Sequence, residues 1–76
     1  MQIETIGKYQ LHLIAHEVPG GGWDPYVSVF RFDDEAQDFI CIVEKHRASD
    51  HAIADYNEAI KAAACAGNAY IKTGNI

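Results

Sequence analysis

The sequence predicts an α+β domain: a three-stranded antiparallel sheet, with strands in the order 1-2-3, and one C-terminal helix packed on one face. Side chains alternate between Tyr9 and Val18, and Pro19-Gly20-Gly21-Gly22 then breaks the strand. From about Ser49 onward an Ala-rich segment shows apolar residues at helical spacing. All 76 residues fit one β-β-β-α domain, in which residues 1–7 form a frayed or short-strand extension.

The second strand, Tyr26 to Phe32, is apolar on both of its faces, and the third runs from Phe39 to His46. A strand in a small antiparallel sheet normally has one apolar and one wet face. A single helix covers only one face of a sheet. The sequence therefore predicts that the other face meets a partner.

The strand register decides which side chains lie under the helix. With Pro19–Gly22 as the hairpin tip, Leu13 is expected opposite Ser28 and Leu11 opposite Phe30. The predicted core is then Tyr9, Leu11, Leu13, Phe30, Phe32, Phe39 and Val43. Pro25 leaves an alternative open, because a bulge there would shift the register by one residue and swap the faces.

The helix is expected to begin at Ser49 or Asp50, whose side-chain oxygens can accept an orphan backbone N–H. Ala59, Ala63 and Gly67 are spaced four apart and form a thin ridge that is expected to let the helix approach the bulky aromatic rings of the sheet closely. Gly74 fits the C-terminal stop.

The predicted open sheet face is a contiguous apolar surface, which a monomer rarely exposes. Its predicted interface residues are Ile14, Val27, Val29, Arg31, Ile40 and Ile42. Two-fold dimers are the commonest soluble assembly, so the sequence favours a homodimer through this face. The alternative is that residues 1–7, through Ile3 and Ile6, cover the face within the same chain.

The net charge of −5, with six basic and eleven acidic residues, disfavours binding to nucleic acid or to an anionic membrane. The basic residues are also dispersed along the chain. The first eight residues do not resemble a signal peptide, and no apolar run approaches the ~20 residues of a membrane span. These observations favour a cytoplasmic protein without a membrane role.

Four carboxylates lie in the turn that precedes the third strand: Asp33, Asp34, Glu35 and Asp38. The turn lacks the ligand spacing and central glycine of an EF-hand loop, so it is expected to be a solvated turn. A second functional hypothesis is that it binds a basic protein partner.

The histidines match no established metal-site spacing. His12 and His16 share a strand face but lie roughly 13 Å apart by strand rise. His46 and His51 flank the strand-to-helix turn, close to Asp50. No metal site is predicted from them, although a ligand- or metal-binding domain that uses the histidine-bearing face remains the third hypothesis.

No catalytic constellation is visible in the sequence. Cys41 and Cys65 are expected to be reduced, buried thiols without a clustered base. Gly20-Gly21-Gly22 lacks the Lys-Ser/Thr and the following helix of a phosphate-binding loop. The leading expectation is thus a non-enzymatic protein–protein interaction domain that needs no cofactor.

Two families share features with this chain. The β-β-β-α order resembles part of the double-stranded-RNA-binding domains, but Ala48-Ser49-Asp50-His51 stands where those have a basic cluster, so RNA binding is not implied. Asn57-Glu58-Ala59-Ile60 after a hairpin resembles HicB-type antitoxins, whose Pro-Asp-Leu-Pro-Gly-Cys turn is absent. That likeness implies an acidic antitoxin-like module. The whole chain also resembles small one-domain bacterial proteins of β-β-β-α type.

Overall fold

A computed structural model describes residues 1–73 of the chain. The strands are β1 (Gln2–Ile6), β2 (Tyr9–Glu17), β3 (Trp23–Asp33) and β4 (Asp38–Arg47), and the helix is α1 (Tyr56–Thr73). The expected α+β class is confirmed, with one C-terminal helix on an antiparallel sheet. The sheet has four strands in the order β1-β2-β3-β4, so the prediction of three strands is wrong.

The additional strand, β1, lies in the segment for which the sequence suggested an extension. It pairs with β2 from Gln2 opposite Leu13 to Ile6 opposite Tyr9. The turn between them uses Gly7 at a φ of 59°, which costs glycine little. Because β1 widens the sheet as an edge strand, the alternative in which residues 1–7 cover a sheet face is wrong.

The β2–β3 hairpin is one residue out of the expected register. Leu13 lies opposite Val27 and Leu11 opposite Val29, whereas Ser28 and Phe30 were predicted at these positions. The connecting loop is Val18 to Gly22, one residue longer than expected, and Gly20, Gly21 and Gly22 all have positive φ. Pro25 pairs with Ala15 in regular register, so loop length, not a bulge at proline, swaps the faces of β3.

The core lies between α1 and the two central strands. Leu11, Leu13, Val27 and Val29 are 0% exposed, as are Ala59 and Ala63 of the helix. Tyr9 and Val43 pack partly buried against this cluster. Phe30, Phe32 and Phe39 are not part of it. The predicted aromatic core is therefore wrong for these three rings, which the register shift moves to the other face.

The thin helical ridge is confirmed, since Ala59, Ala63 and Gly67 are all buried. A Cβ atom built on Gly67 would stand 2.8 Å from Leu11 Cδ2 and 3.1 Å from Val27 Cγ2. Glycine within a helix costs roughly 1 kcal/mol relative to alanine. Close helix–sheet contact at this position explains why a glycine is present there.

The helix begins later than expected, and its cap is Asp55. The Asp55 side chain accepts a hydrogen bond from the backbone N–H of Glu58 at 3.0 Å. Ser49 and Asp50 were predicted as caps but lie in the preceding loop, where Ser49 Oγ donates to the carbonyl of His51 at 2.9 Å. This loop is attached to the sheet by paired backbone hydrogen bonds between Trp23 and Ile53. The predicted stop at Gly74 lies outside the described residues.

The pairing of β3 with the edge strand β4 is irregular. Its register shifts between Val27 and Val29 and again between Val29 and Phe30. At the first shift, Glu44 and Lys45 together stand opposite the single residue Ser28. Such bulges bend a strand and interrupt its regular hydrogen-bonding edge.

We expect Gly67→Leu to lower the free energy of unfolding by about 1–3 kcal/mol, because the added side chain overpacks the contact with Leu11. The matched control is Ala69→Leu, an exposed position on the same helix, with an expected change within about 0.5 kcal/mol. Urea denaturation of both variants checks this. Equal stabilities would contradict the close approach at Gly67.

We expect Asp55→Ala to lower the free energy of unfolding by about 1 kcal/mol, since it removes the acceptor for an orphan helix N–H. Asp55→Asn should restore most of the loss. Asp50→Ala, at the position that the sequence favoured, should have little effect. Thermal and urea unfolding of the three variants give the ranking, and an Asp50→Ala loss as large as that of Asp55→Ala would contradict this assignment.

Candidate functional site

The molecule is a two-layer slab of 46 × 22 × 17 Å, with α1 on one side of the sheet. Within residues 1–73, no element packs on the other side, which we call the open face. Pairing and alternation place its side chains along all four strands. They are Ile3, Thr5, Gln10, His12, Ile14, His16, Asp24, Tyr26, Ser28, Phe30, Phe32, Phe39, Cys41, Lys45 and Arg47.

Aromatic side chains in contact with one another dominate the open face. The His12 and Phe30 rings are stacked with centroids 4.1 Å apart. His16 meets Tyr26 edge-on at 5.1 Å. Tyr26 and Phe30 are half-buried with no covering layer, and Ser28 between them is buried by its neighbours. A second pair, Phe32 and Phe39 at 5.4 Å, extends the aromatic surface toward the β3–β4 turn.

The charged groups of the open face lie at the end away from the β3–β4 turn, where β3 begins and β4 finishes. Arg47 donates to Asp24 Oδ1 at 2.7 Å, and the Lys45 ammonium lies 5.5 Å from the centre of the Tyr26 ring. Such a cation–π contact contributes roughly 0.5–1 kcal/mol at an exposed site. The face thus carries its aromatic contacts in the middle, and Lys45 with the Arg47–Asp24 ion pair at the end where β4 finishes.

His12 is the titratable group nearest the middle of the open face. Its Nε2 lies 2.9 Å from Gln10 Oε1. Burial lowers the pKa of the His12 imidazole below its ordinary value of 6.5, because desolvation disfavours the charged ring. His12 and His16 share this face, as the sequence predicted.

The predicted interface residues do not form one surface. Val27 and Val29 are 0% exposed in the core under the helix. Arg31 and Ile40 pair with each other on the helix side, beyond the region that α1 covers. Only Ile14 lies on the open face. The one-residue register shift accounts for this difference, because it places the aromatic row of β3 on the open face and the valine row under the helix.

The aromatic row Tyr26, Phe30 and Phe32 was predicted on the helix side, but the observed register places it on the open face. Ser28 was the available signal, because it interrupts this row, whereas the row of Val27 and Val29 is uninterrupted and aliphatic. An aliphatic row also fits a ridge of alanine and glycine better than bulky rings do.

The acidic turn lies beside a groove of about 490 Å³ on the helix side. Ile40 and Ile42, exposed by 44% and 38%, line this groove together with Arg31, Asp34 and Glu35. Two carboxylates of the turn accept hydrogen bonds from nearby backbone groups. Asp33 accepts from the Glu35 N–H, and Asp38 accepts from the Phe39 N–H. The Lys8 Nζ lies 3.8 Å from Asp34 Oδ2. Binding of a basic partner here stays a prediction.

The histidines near the helix are separated by their local partners. His46 Nδ1 donates to the Glu44 carbonyl at 2.9 Å, and its ring contacts Tyr70. His51 Nδ1 donates to Asp50 at 2.7 Å, and this hydrogen bond lowers the pKa of the Asp50 carboxyl. Among the described residues, no group of three His, Cys, Asp or Glu side chains could hold a metal ion.

Both cysteines are exposed and free, so the prediction of buried thiols is wrong. Cys41 lies on the open face opposite Phe30, with its Sγ 3.4 Å from the Val43 carbonyl. Cys65 lies on the outer side of α1. The two thiols therefore lie on opposite sides of the molecule.

Comparison with known proteins identifies no relative: no family model, no curated protein and no solved structure matches this chain significantly. Within residues 1–73, α1 is too polar or too short to qualify as a membrane-crossing helix. The functional inference therefore rests on the geometry of the open face.

Proposed function

We propose that this protein is a non-enzymatic interaction domain that forms a two-fold homodimer by packing two open faces together. The supporting observation is the uncovered aromatic surface of Tyr26, Phe30, Phe32 and Phe39. Aromatic residues are enriched at the centres of protein interfaces, since they bury large areas with few rotatable bonds. A second copy supplies an identical surface, as a two-fold interface requires.

The size of the face supports a dimer. Four strands about 4.8 Å apart and about eight residues long cover roughly 500 Å². Two stacked copies would bury on the order of 1,000 Å² in total, near the lower bound for a specific interface. Protruding aromatic rings increase this area. We therefore propose a dimer of moderate affinity that exchanges with monomer.

The charges at the two ends of the sheet favour one orientation. Lys45 and the Arg47–Asp24 ion pair lie where β4 ends, and the acidic turn 33–38, in which Asp34 contacts Lys8, lies at the opposite end. A two-fold axis across the strands brings Lys45 of each copy toward the acidic turn of the other. Such complementarity favours this register over one with like charges opposed.

We expect the dimer to protect Cys41 from alkylation and to leave Cys65 reactive. Raising the protein concentration from about 1 µM to about 100 µM should slow iodoacetamide labelling of Cys41 roughly tenfold, because the thiol becomes covered. Peptide mass spectrometry resolves the two sites in one sample, so Cys65 is the internal control. Equal, concentration-independent labelling of both thiols would count against the open face as the interface.

We expect Phe30→Gln to weaken dimerisation by roughly tenfold or more, since a central aromatic side chain contributes ~1.5–3 kcal/mol on burial. Ile40→Gln is the matched control. It removes an exposed apolar side chain of similar size from the helix side and should leave the dissociation constant unchanged. Sedimentation velocity measures both, with circular dichroism to verify the fold.

Two results would contradict the proposal. One is a wild-type monomer at about 100 µM, where a specific dimer of this size should be populated. The other is dimer loss in Ile40→Gln with Phe30→Gln unaffected, which would move the interface to the helix side.

A further inference from the structure

We propose that the homodimer, which rests on the function proposed above, dissociates in mild acid because the His12 ring must be uncharged when two open faces meet. His12 would thereby regulate the same surface, where its ring stacks on Phe30 beside the neutral polar side chains of Gln10 and Ser28.

His12 lies where a second copy of the chain would cover its ring, and this would change the solvation of the imidazole. Its ring stacks on Phe30 at 4.1 Å, and its cross-strand neighbours are Ile3 on β1 and Ser28 on β3. In the single chain the imidazole still has contact with water, because it is only partly buried. A second open face would remove that water and leave an imidazolium ion whose nearest polar partner is the neutral Gln10 Oε1, 2.9 Å from His12 Nε2.

Among residues 1–73, the charged groups around His12 do not offer it a counter-ion. On β1 the acidic residue Glu4 pairs with Leu11 and points to the helix side. On β2 the nearest titratable group is His16, and on β3 they are Tyr26 and Asp24. Asp24 stands opposite His16 and binds Arg47.

The edge strand β4 contributes groups of both signs farther away. Lys45 lies over Tyr26, Glu44 stands beside it opposite Ser28, and Cys41 pairs with Phe30. One whole strand, β3, separates these groups from His12. His16 differs from His12 in this respect, because a carboxylate is its direct cross-strand neighbour.

Burial already lowers the pKa of His12 in the single chain, and further burial in the dimer lowers it more. The associated state then binds fewer protons than the monomer. By linkage, association is favoured at high pH and weakens as the pH falls below the ordinary imidazole value of 6.5. Two copies of His12 enter each dimer, so the effect is doubled.

The experiment is sedimentation velocity of the full chain at about pH 7.5 and about pH 5.0, which bracket imidazole titration while most carboxylates stay charged. We expect the wild-type dissociation constant to rise roughly 10- to 100-fold in acid, as one pKa unit for each of two histidines implies. His12→Gln should bring the ratio between the two pH values close to one. His16→Gln should retain the wild-type ratio. Circular dichroism at both pH values verifies the fold.

The outcomes separate this inference from the function it rests on. A wild-type dimer of equal strength at both pH values overturns the role of His12 and leaves the dimer intact. The same acid weakening in His12→Gln also overturns it, because another group then carries the effect. A monomer at both pH values overturns the dimer and this inference together.

Discussion

The close approach of α1 to the sheet at Gly67 is the constraint on which the rest of the structure depends. With hydrogen alone at this position, the helix lies directly on Leu11 and Val27. Ala59 and Ala63 continue the same narrow ridge. A ridge of this shape fits rows of aliphatic side chains that lie level with one another. It thus favours the valine row of β3 over its aromatic row on the helix side, and so specifies the strand register.

The distribution of aromatic residues follows from that selection. Once Val27 and Val29 are under the helix, Tyr26 and Phe30 must point away from it, since alternate residues of a strand face opposite sides. The hairpin loop makes this register accessible, because three consecutive glycines adopt positive φ and allow five residues to connect the strands. Because small and aliphatic side chains fill the core, the aromatic residues of β3 lie on the surface.

The sequence alone predicted the class of fold, the helix ridge and the antiparallel pairing of neighbouring strands, because these depend on local periodicity. It did not determine the β2–β3 register. A strand that is apolar on both faces satisfies either register by its pattern alone, and the fit of the valine row under the helix ridge, together with a loop one residue longer, selects one of them. It also missed β1, where two isoleucines at an exposed edge give only a weak pattern.

The sequence predicted that one sheet face stays uncovered, but it did not predict which residues form that face. A strand that is apolar on both faces and one helix implied an uncovered sheet face, and within residues 1–73 no element packs on that face. The one-residue difference in register exchanged the side chains on the two faces of β3. Of the six predicted interface residues, only Ile14 therefore lies on the open face. The cap was predicted at Ser49 or Asp50, and the structure shows that Asp55 accepts the hydrogen bond from a helix N–H instead.

The irregular edge of β4 has a consequence for how far assembly can proceed. A straight, regular outer strand invites lateral addition of further chains, which leads to open-ended filaments. Two register shifts within β4 and the brevity of β1 at the other border both discourage such growth. Stacking of two open faces, as proposed above, would instead cover the aromatic surface of each copy and stop at a closed pair.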